Sequence, residues 1–209
     1  MAEAYPSVEL SGGPLKRVGG AVALDFVNTV GWRLADEALE RLHSYGDLVA
    51  WVRGTGAIDA TRARRLAARA KADPGKADRV LAEARRLRDA LFRTFLARSH
   101  DKAPAKADLG LINRWLARTA PRAGLDLRRG RLAWRWPDET LESLLAPVLW
   151  SAGELLTGDD AARIKLCAAG GCGWVFLDAS RKANRLWCSM EDCGNRAKAK
   201  RHYRRRTSV

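Results

Sequence analysis

Cys167, Cys172, Cys188 and Cys193 are the only cysteines in 209 residues, and all four fall in the last quarter of the chain. Four residues separate the members of each pair and fifteen separate the pairs. Two tight turns can therefore each offer two thiolates to one ion, the donor set of a tetrahedral Zn²⁺ site with sulfur about 2.3 Å from the metal. Turn residues fill the gaps: Ala168-Ala169-Gly170-Gly171 inside the first pair, then Gly173 and Gly194 after the second cysteine of each pair. Glycine there admits positive φ and lets amides approach sulfur. A catalytic zinc keeps one position open beside three protein ligands, whereas four cysteines close the shell, so one structural zinc is predicted. The alternatives are buried structural thiols or a redox pair. Two disulfides would require an oxidising compartment, and Met1-Ala2-Glu3-Ala4-Tyr5-Pro6 lacks the basic and apolar regions of a secretory signal.

The charge is concentrated in the same place. Lys and Arg number 38 against 24 Asp and Glu, a net +14, and residues 163–209 hold 12 of the basic residues with only 3 acidic ones. Such a potential attracts polyanions, nucleic acid and anionic lipid alike. Part of the arginine excess before residue 163 is also what an Ala- and Arg-rich chain places on solvated helices. After Asp192 there is no acid, and seven Lys or Arg follow Cys193 in a helix-compatible stretch. On that helix Arg196, Lys200 and Tyr203 recur at i, i+4 and i+7, with Arg204 beside them. The candidate nucleic-acid contacts are Arg181, Lys182 and Arg185 in the preceding loop, then Asn195, Arg196, Lys198, Lys200, Arg201 and Arg204. Arginine pairs bidentately with phosphate or the guanine edge, and Asn195 suits adenine or a backbone atom. Double-stranded DNA is the expected partner. The competing readings are a solvated tail, or RNA, for which stacking residues are few (Trp174, Trp187 and Tyr203).

These residues need elements to position them. Residues 1–20, rich in Gly, Ser and Pro, read as a flexible arm, and Ala21–Val30, an apolar run that suits a helix or a strand, as a short helix. Ser44 with Asp47 forms an acidic capping box before Tyr45, Leu48, Val49 and Val52. Asp59 caps a helix to about Ala72, and Asp73-Pro74 opens the longest helix, roughly 74–99, with Val80, Ala84, Leu87, Leu91 and Phe95 on one face. Asp108 is expected to cap a further helix carrying Ile112 and Trp115. Leu125–Leu127 and Leu132–Trp136 alternate as a β-hairpin. Asp138 is expected to cap a leucine-rich helix kinked by Pro147 and closed at Gly158. In the finger, Trp174–Leu177 and Leu186-Trp187 read as two strands. With 47% hydrophobic residues the chain can bury a core, and no apolar run approaches the ~20 residues of a membrane span. A cytoplasmic protein without membrane contact is expected.

Cys188-Ser189-Met190 and Cys193-Gly194-Asn195-Arg196-Ala197-Lys198, preceded by Cys172-Gly173-Trp174, Phe176, Asp178, Ser180-Arg181, Arg185 and Trp187, resemble the bacterial CGNR zinc-finger family. Upstream, Leu24-Asp25-Phe26-Val27-Asn28-Thr29 with Trp51 looks like the start of the ABATE domain that accompanies that finger. The resemblance implies an α+β fold: a predominantly α-helical domain with a β-hairpin over residues 21–160, then a treble-clef finger over 161–209. It also implies a role in stress-linked transcription.

Asp25, Asn28 and Thr29 are polar groups in an apolar segment and need partners, which a small-molecule effector or the backbone could supply. Catalysis is not expected: His43, His100 and His202 lie apart, and no nucleophile motif, Walker loop or HExxH is present. A homodimer would suit a palindromic DNA site. A finger that serves protein assembly is the remaining alternative.

Overall fold

The structure is a computed structural model that describes residues 6–119, 123–128, 130–136 and 140–207. Where a flexible arm was expected, residues 7–16 form an antiparallel hairpin of β1 (Ser7–Leu10) and β2 (Gly13–Lys16). Val8, Leu10 and Leu15 are buried, so this short alternation of apolar residues has a core to rest on. Gly13, at φ +94°, supplies the turn.

Next come α1 (Val22–Val27), a minimal pair of β3 (Val30–Gly31) with β4 (Leu39–Glu40), and α2 (Tyr45–Gly54). The capping box is formed: the Asp47 amide donates to Ser44 Oγ, and the Ser44 amide donates to the Asp47 carboxylate. Asp59 and Asp73 likewise cap α3 (Ala60–Ala72) and α4 (Pro74–Ser99), with Pro74 in the first turn. All five stripe residues of α4 are buried. In α5 (Lys106–Thr119) Asp108 lies within the first turn instead of capping it, and Arg93 pairs with it bidentately at 2.9 and 2.6 Å.

The predicted hairpin is β5 (Gly124–Arg128) with β6 (Arg131–Arg135). Asp138 lies outside the described residues. A 3₁₀ turn (Glu142–Leu145) precedes α6 (Ala146–Thr157), so Pro147 opens this helix and does not kink it. A missing N–H costs nothing in a first turn, where it would have no intrahelical partner. Gly158 closes α6 in extended backbone, its amide bonded to the Glu154 carbonyl.

A second 3₁₀ turn (Asp159–Arg163) leads to β7 (Ile164–Leu166), which pairs antiparallel with β8 (Val175–Leu177). The finger's second strand is therefore this segment before the first cysteine, not Leu186-Trp187. A π-helical turn (Met190–Gly194) then runs into α7 (Asn195–Thr207). The main core gathers α1–α6, and Ile164 and Val175 belong to it as well. A smaller cluster holds Val18, Phe176 and the four cysteines, with Trp174 and Trp187 against it. No described helix is long and apolar enough to cross a membrane.

Candidate metal centre and nucleic-acid interface

The first cysteine pair sits on a knuckle between β7 and β8. The Cys167 amide donates to the Trp174 carbonyl at 2.8 Å, closing a loop whose Gly171 and Gly173 adopt φ of +80° and +69°. The second pair opens a helix: Ser189 Oγ accepts from the Asp192 amide, and Cys193 falls in the turn this caps. All four sulfurs lie within 4.8 Å of one another and all four residues are buried. Four sulfurs about 2.3 Å from a central ion would stand about 3.8 Å apart. Cys172–Cys188 and Cys188–Cys193 are separated by 3.8 and 3.6 Å, so the residues present fit a tetrahedral zinc.

Electrostatics agree with the geometry. Hydrogen bonds from Cys172 and Cys188 hold the Cys167 thiol far below the ordinary range, and the same contacts push Cys172 and Cys188 well above it. Four adjacent thiols cannot all ionise beside one another, and a divalent cation removes that conflict. The Cys188 amide points at Cys167 Sγ from 3.4 Å, and Arg196 Nη2 donates to Cys193 Sγ at 3.0 Å.

Behind the thiols a network centred on Asp178 shapes the loop between the pairs. Asp178 is fully buried and accepts hydrogen bonds from Lys165 Nζ, the Ser180 amide and hydroxyl, and the Arg185 amide. Burial alone would raise its pKa. The Lys165 ammonium and these hydrogen bonds outweigh it and hold the carboxyl well below the usual range. Arg185 lies over the Phe176 ring at 4.3 Å and donates to the Trp187 carbonyl at 2.9 Å and to the Cys188 carbonyl. It braces the second cysteine pair, whereas the sequence placed it among the phosphate contacts.

Arg196 is engaged too. Besides its bond to Cys193, its guanidinium lies 4.5 Å from the centroid of the Trp32 ring. Trp32 belongs to a loop that clasps the knuckle: the amides of Arg33 and Leu34 donate to the Cys172 and Gly171 carbonyls, both at 3.2 Å. Periodicity carries no sign of this contact, which spans more than 130 residues of sequence.

The other expected contacts remain on the surface. Arg181, Lys182, Asn195, Lys198, Lys200 and Arg201 are exposed, and none of the five cations pairs with a carboxylate among the described residues. Arg204 is helical in backbone, but its side chain lies outside the described residues.

Asp25, Asn28 and Thr29, the candidate effector contacts, are buried and find partners within the chain. Asp25 accepts from the Gly19 amide at 2.7 Å, and Thr29 donates to the Phe26 carbonyl and accepts from Arg88. The Asn28 amide group bonds both the carbonyl and the amide of Val175, at 2.8 and 2.9 Å, as a neighbouring strand would. Asn28 thus ties the end of α1 to β8, while Thr29 reaches Arg88 of α4 and Asp25 holds the Gly19 turn. Nothing in their local sequence names Val175 as the partner, although an Asn in an apolar run demands one.

A knuckle and a helix start that converge four thiols beside a helical domain define a zinc-finger protein with one structural zinc. Residues 20–159 match the ABATE family, described as "putative stress-induced transcription regulator", and residues 163–206 match the CGNR zinc finger. The chain belongs to the ABATE family and ends in a CGNR finger. A search of curated proteins gives no match.

Proposed function

We propose that this regulator binds double-stranded DNA through the zinc-ordered finger, with Arg181, Lys182, Lys198, Lys200 and Arg201 as its phosphate contacts. The observation that carries the reading is the contrast among the finger's cations. Lys165, Arg185 and Arg196 are bonded to the chain, Arg196 from an exposed position, while these five stand exposed and pair with no carboxylate among the described residues. A helix carrying Lys198, Lys200 and Arg201 repels itself until an anion is bound, and the zinc fixes its start. Both matched families are described by regulation and metal binding, which favours a binding role over catalysis.

With about five phosphates neutralised, log Kd should change with log salt at a slope of about 4 to 5. The test is an electrophoretic shift of the zinc-loaded full chain on genomic duplex fragments and on structured RNA of equal length. Duplex binding that collapses when Lys198, Lys200 and Arg201 are all changed to Ala, zinc content unchanged, supports the proposal. A triple variant that binds duplex as tightly as the wild type, or preference for RNA, overturns it.

A further inference from the structure

Outside the finger, three tryptophans meet in one cleft. Strand alternation places Trp134 and Trp136 on the same face of β6 and its continuation, with ring centroids 5.3 Å apart and nearly stacked. Trp150 of α6 meets them at 4.4 and 6.0 Å. The cleft beside the rings measures about 480 Å³, within the ordinary range of small-molecule sites. Trp134 remains 38% exposed.

The polar lining decides the ligand class. The chain as a whole carries +14, yet the cleft is lined by two carboxylates, Asp59 and Glu154, and by no lysine or arginine among the described residues. Asp59 is occupied as the cap of α3, where it accepts from the Arg62 amide. Glu154 stands one helical turn from Trp150, and its Oε1 accepts from Trp150 Nε1 at 2.8 Å. Its Oε2 has no partner among the described residues. Indole faces attract cations through the ring quadrupole, and a carboxylate at their edge adds a point of attachment.

We propose that this cleft binds a small organic amine in its cationic form, with the apolar body against the indoles and the ammonium group at Glu154. None of the finger's exposed cations lines this cleft, so amine binding here is independent of nucleic acid. The zinc-loaded full chain is titrated with 2-phenylethylammonium and with 2-phenylethanol, which has the same body and no charge, while the eight indole N–H signals are followed by NMR. Trp134→Phe, Trp136→Phe and Trp150→Phe assign the three signals of the cleft. Saturable shifts confined to those signals are expected, with the ammonium binding at least about threefold tighter than the alcohol. Glu154→Gln should weaken the ammonium about threefold to fivefold and leave the alcohol unchanged. Equal binding of the two probes, a preference that survives Glu154→Gln, or shifts that do not saturate would overturn the proposal.

Discussion

The two halves of the finger are held by different forces. Residues 164–177 rest on the protein's main core: Ile164 and Val175 are buried in it, Asn28 pairs with the Val175 backbone, and the Leu177 amide donates to the Gly19 carbonyl. Among the described residues, none of 178–207 belongs to that core. Their apolar contacts are few, and their order comes from Cys188 and Cys193, from the Asp178 network, from Arg185 and Arg196, and from the Lys16–Asp192 ion pair at 2.9 Å. One half is packed by helices and the other is tied by metal, so the finger should come apart in two steps.

The sharpest break is removal of the metal. Chelation, or Cys193→Ala, should eliminate the single bound zinc and unfold 178–207 while α1–α6 and β7–β8 stay folded. Structural zinc contributes on the order of 10 kcal/mol of folding free energy in small fingers, so the effect should be complete under native conditions. Hydrogen exchange reads it directly: protection should vanish after residue 178 and persist in α4 and β7. Loss of protection throughout would mean that the halves are one cooperative unit.

Asn28→Ala attacks the other half. It leaves a buried amide and a buried carbonyl of Val175 without partners, at about 1–3 kcal/mol each. A loss of about 3–4 kcal/mol in denaturant unfolding is expected, with zinc content unchanged. A variant that loses zinc before it loses stability would place Asn28 in the metal-tied half instead.

Asp25, in the first turn of α1, makes the helical domain under that half sensitive to pH. Burial raises its pKa from 3.8 to about 6, against opposing hydrogen bonds from the Gly19 and Val18 amides and the charge of Arg17. The folded chain then binds a proton more tightly than the unfolded chain, so this group's contribution is full below about pH 4 and is lost as the pH rises through about 6. The difference amounts to about 3 kcal/mol at most between those limits. Asp25→Asn should flatten the stability profile over this window, which thermal melts at pH 4, 5, 6 and 7 would show. An unchanged slope would assign the pH dependence to another group.

What could be read from the chain follows the same division. Ser44, Asp59 and Asp73 announce their helices because a cap is a local bond, and the stripe of α4 announces a core because its period is local too. The four cysteines point to a metal through their spacing together with the glycine-rich turns around them, which is a local signal too. Three-residue β7 and the hairpin at 7–16 escaped because their strands are too short for a periodic signal and exist only against a core that other segments build. Residue type alone makes Asp108 a cap and Pro147 a kink. Tertiary context decided otherwise, with Arg93 beside the first and a 3₁₀ turn ahead of the second. The basic run told how many cations the finger has, not which ones are free, since that depends on Trp32, Phe176 and Asp178 arriving from elsewhere.

That last distinction gives the finest test of the comparison. Arg196 belongs to the family tetrad and lies at the head of a basic helix, a position that suggests a DNA contact. Its guanidinium instead donates to Cys193 and stacks on Trp32, which ties the metal-held half to the loop over the knuckle. A charged donor to a metal-bound thiolate tunes the site, and loss of such an outer partner typically weakens metal binding by about 10- to 100-fold. Arg196→Ala should therefore lower zinc affinity by that factor, measured by competition with a chromogenic chelator, while the salt slope of DNA binding at saturating zinc stays near the wild-type value. Lys198, Lys200 and Arg201 changed together should do the reverse, cutting the slope by about 3 with zinc affinity intact. Arg196→Lys keeps the charge but not the flat face that lies on Trp32, so it should restore only part of the metal affinity. If Arg196→Ala instead lowers the salt slope and spares the zinc, Arg196 faces phosphate in the complex, and the line between bracing and binding cations moves one residue into the tetrad.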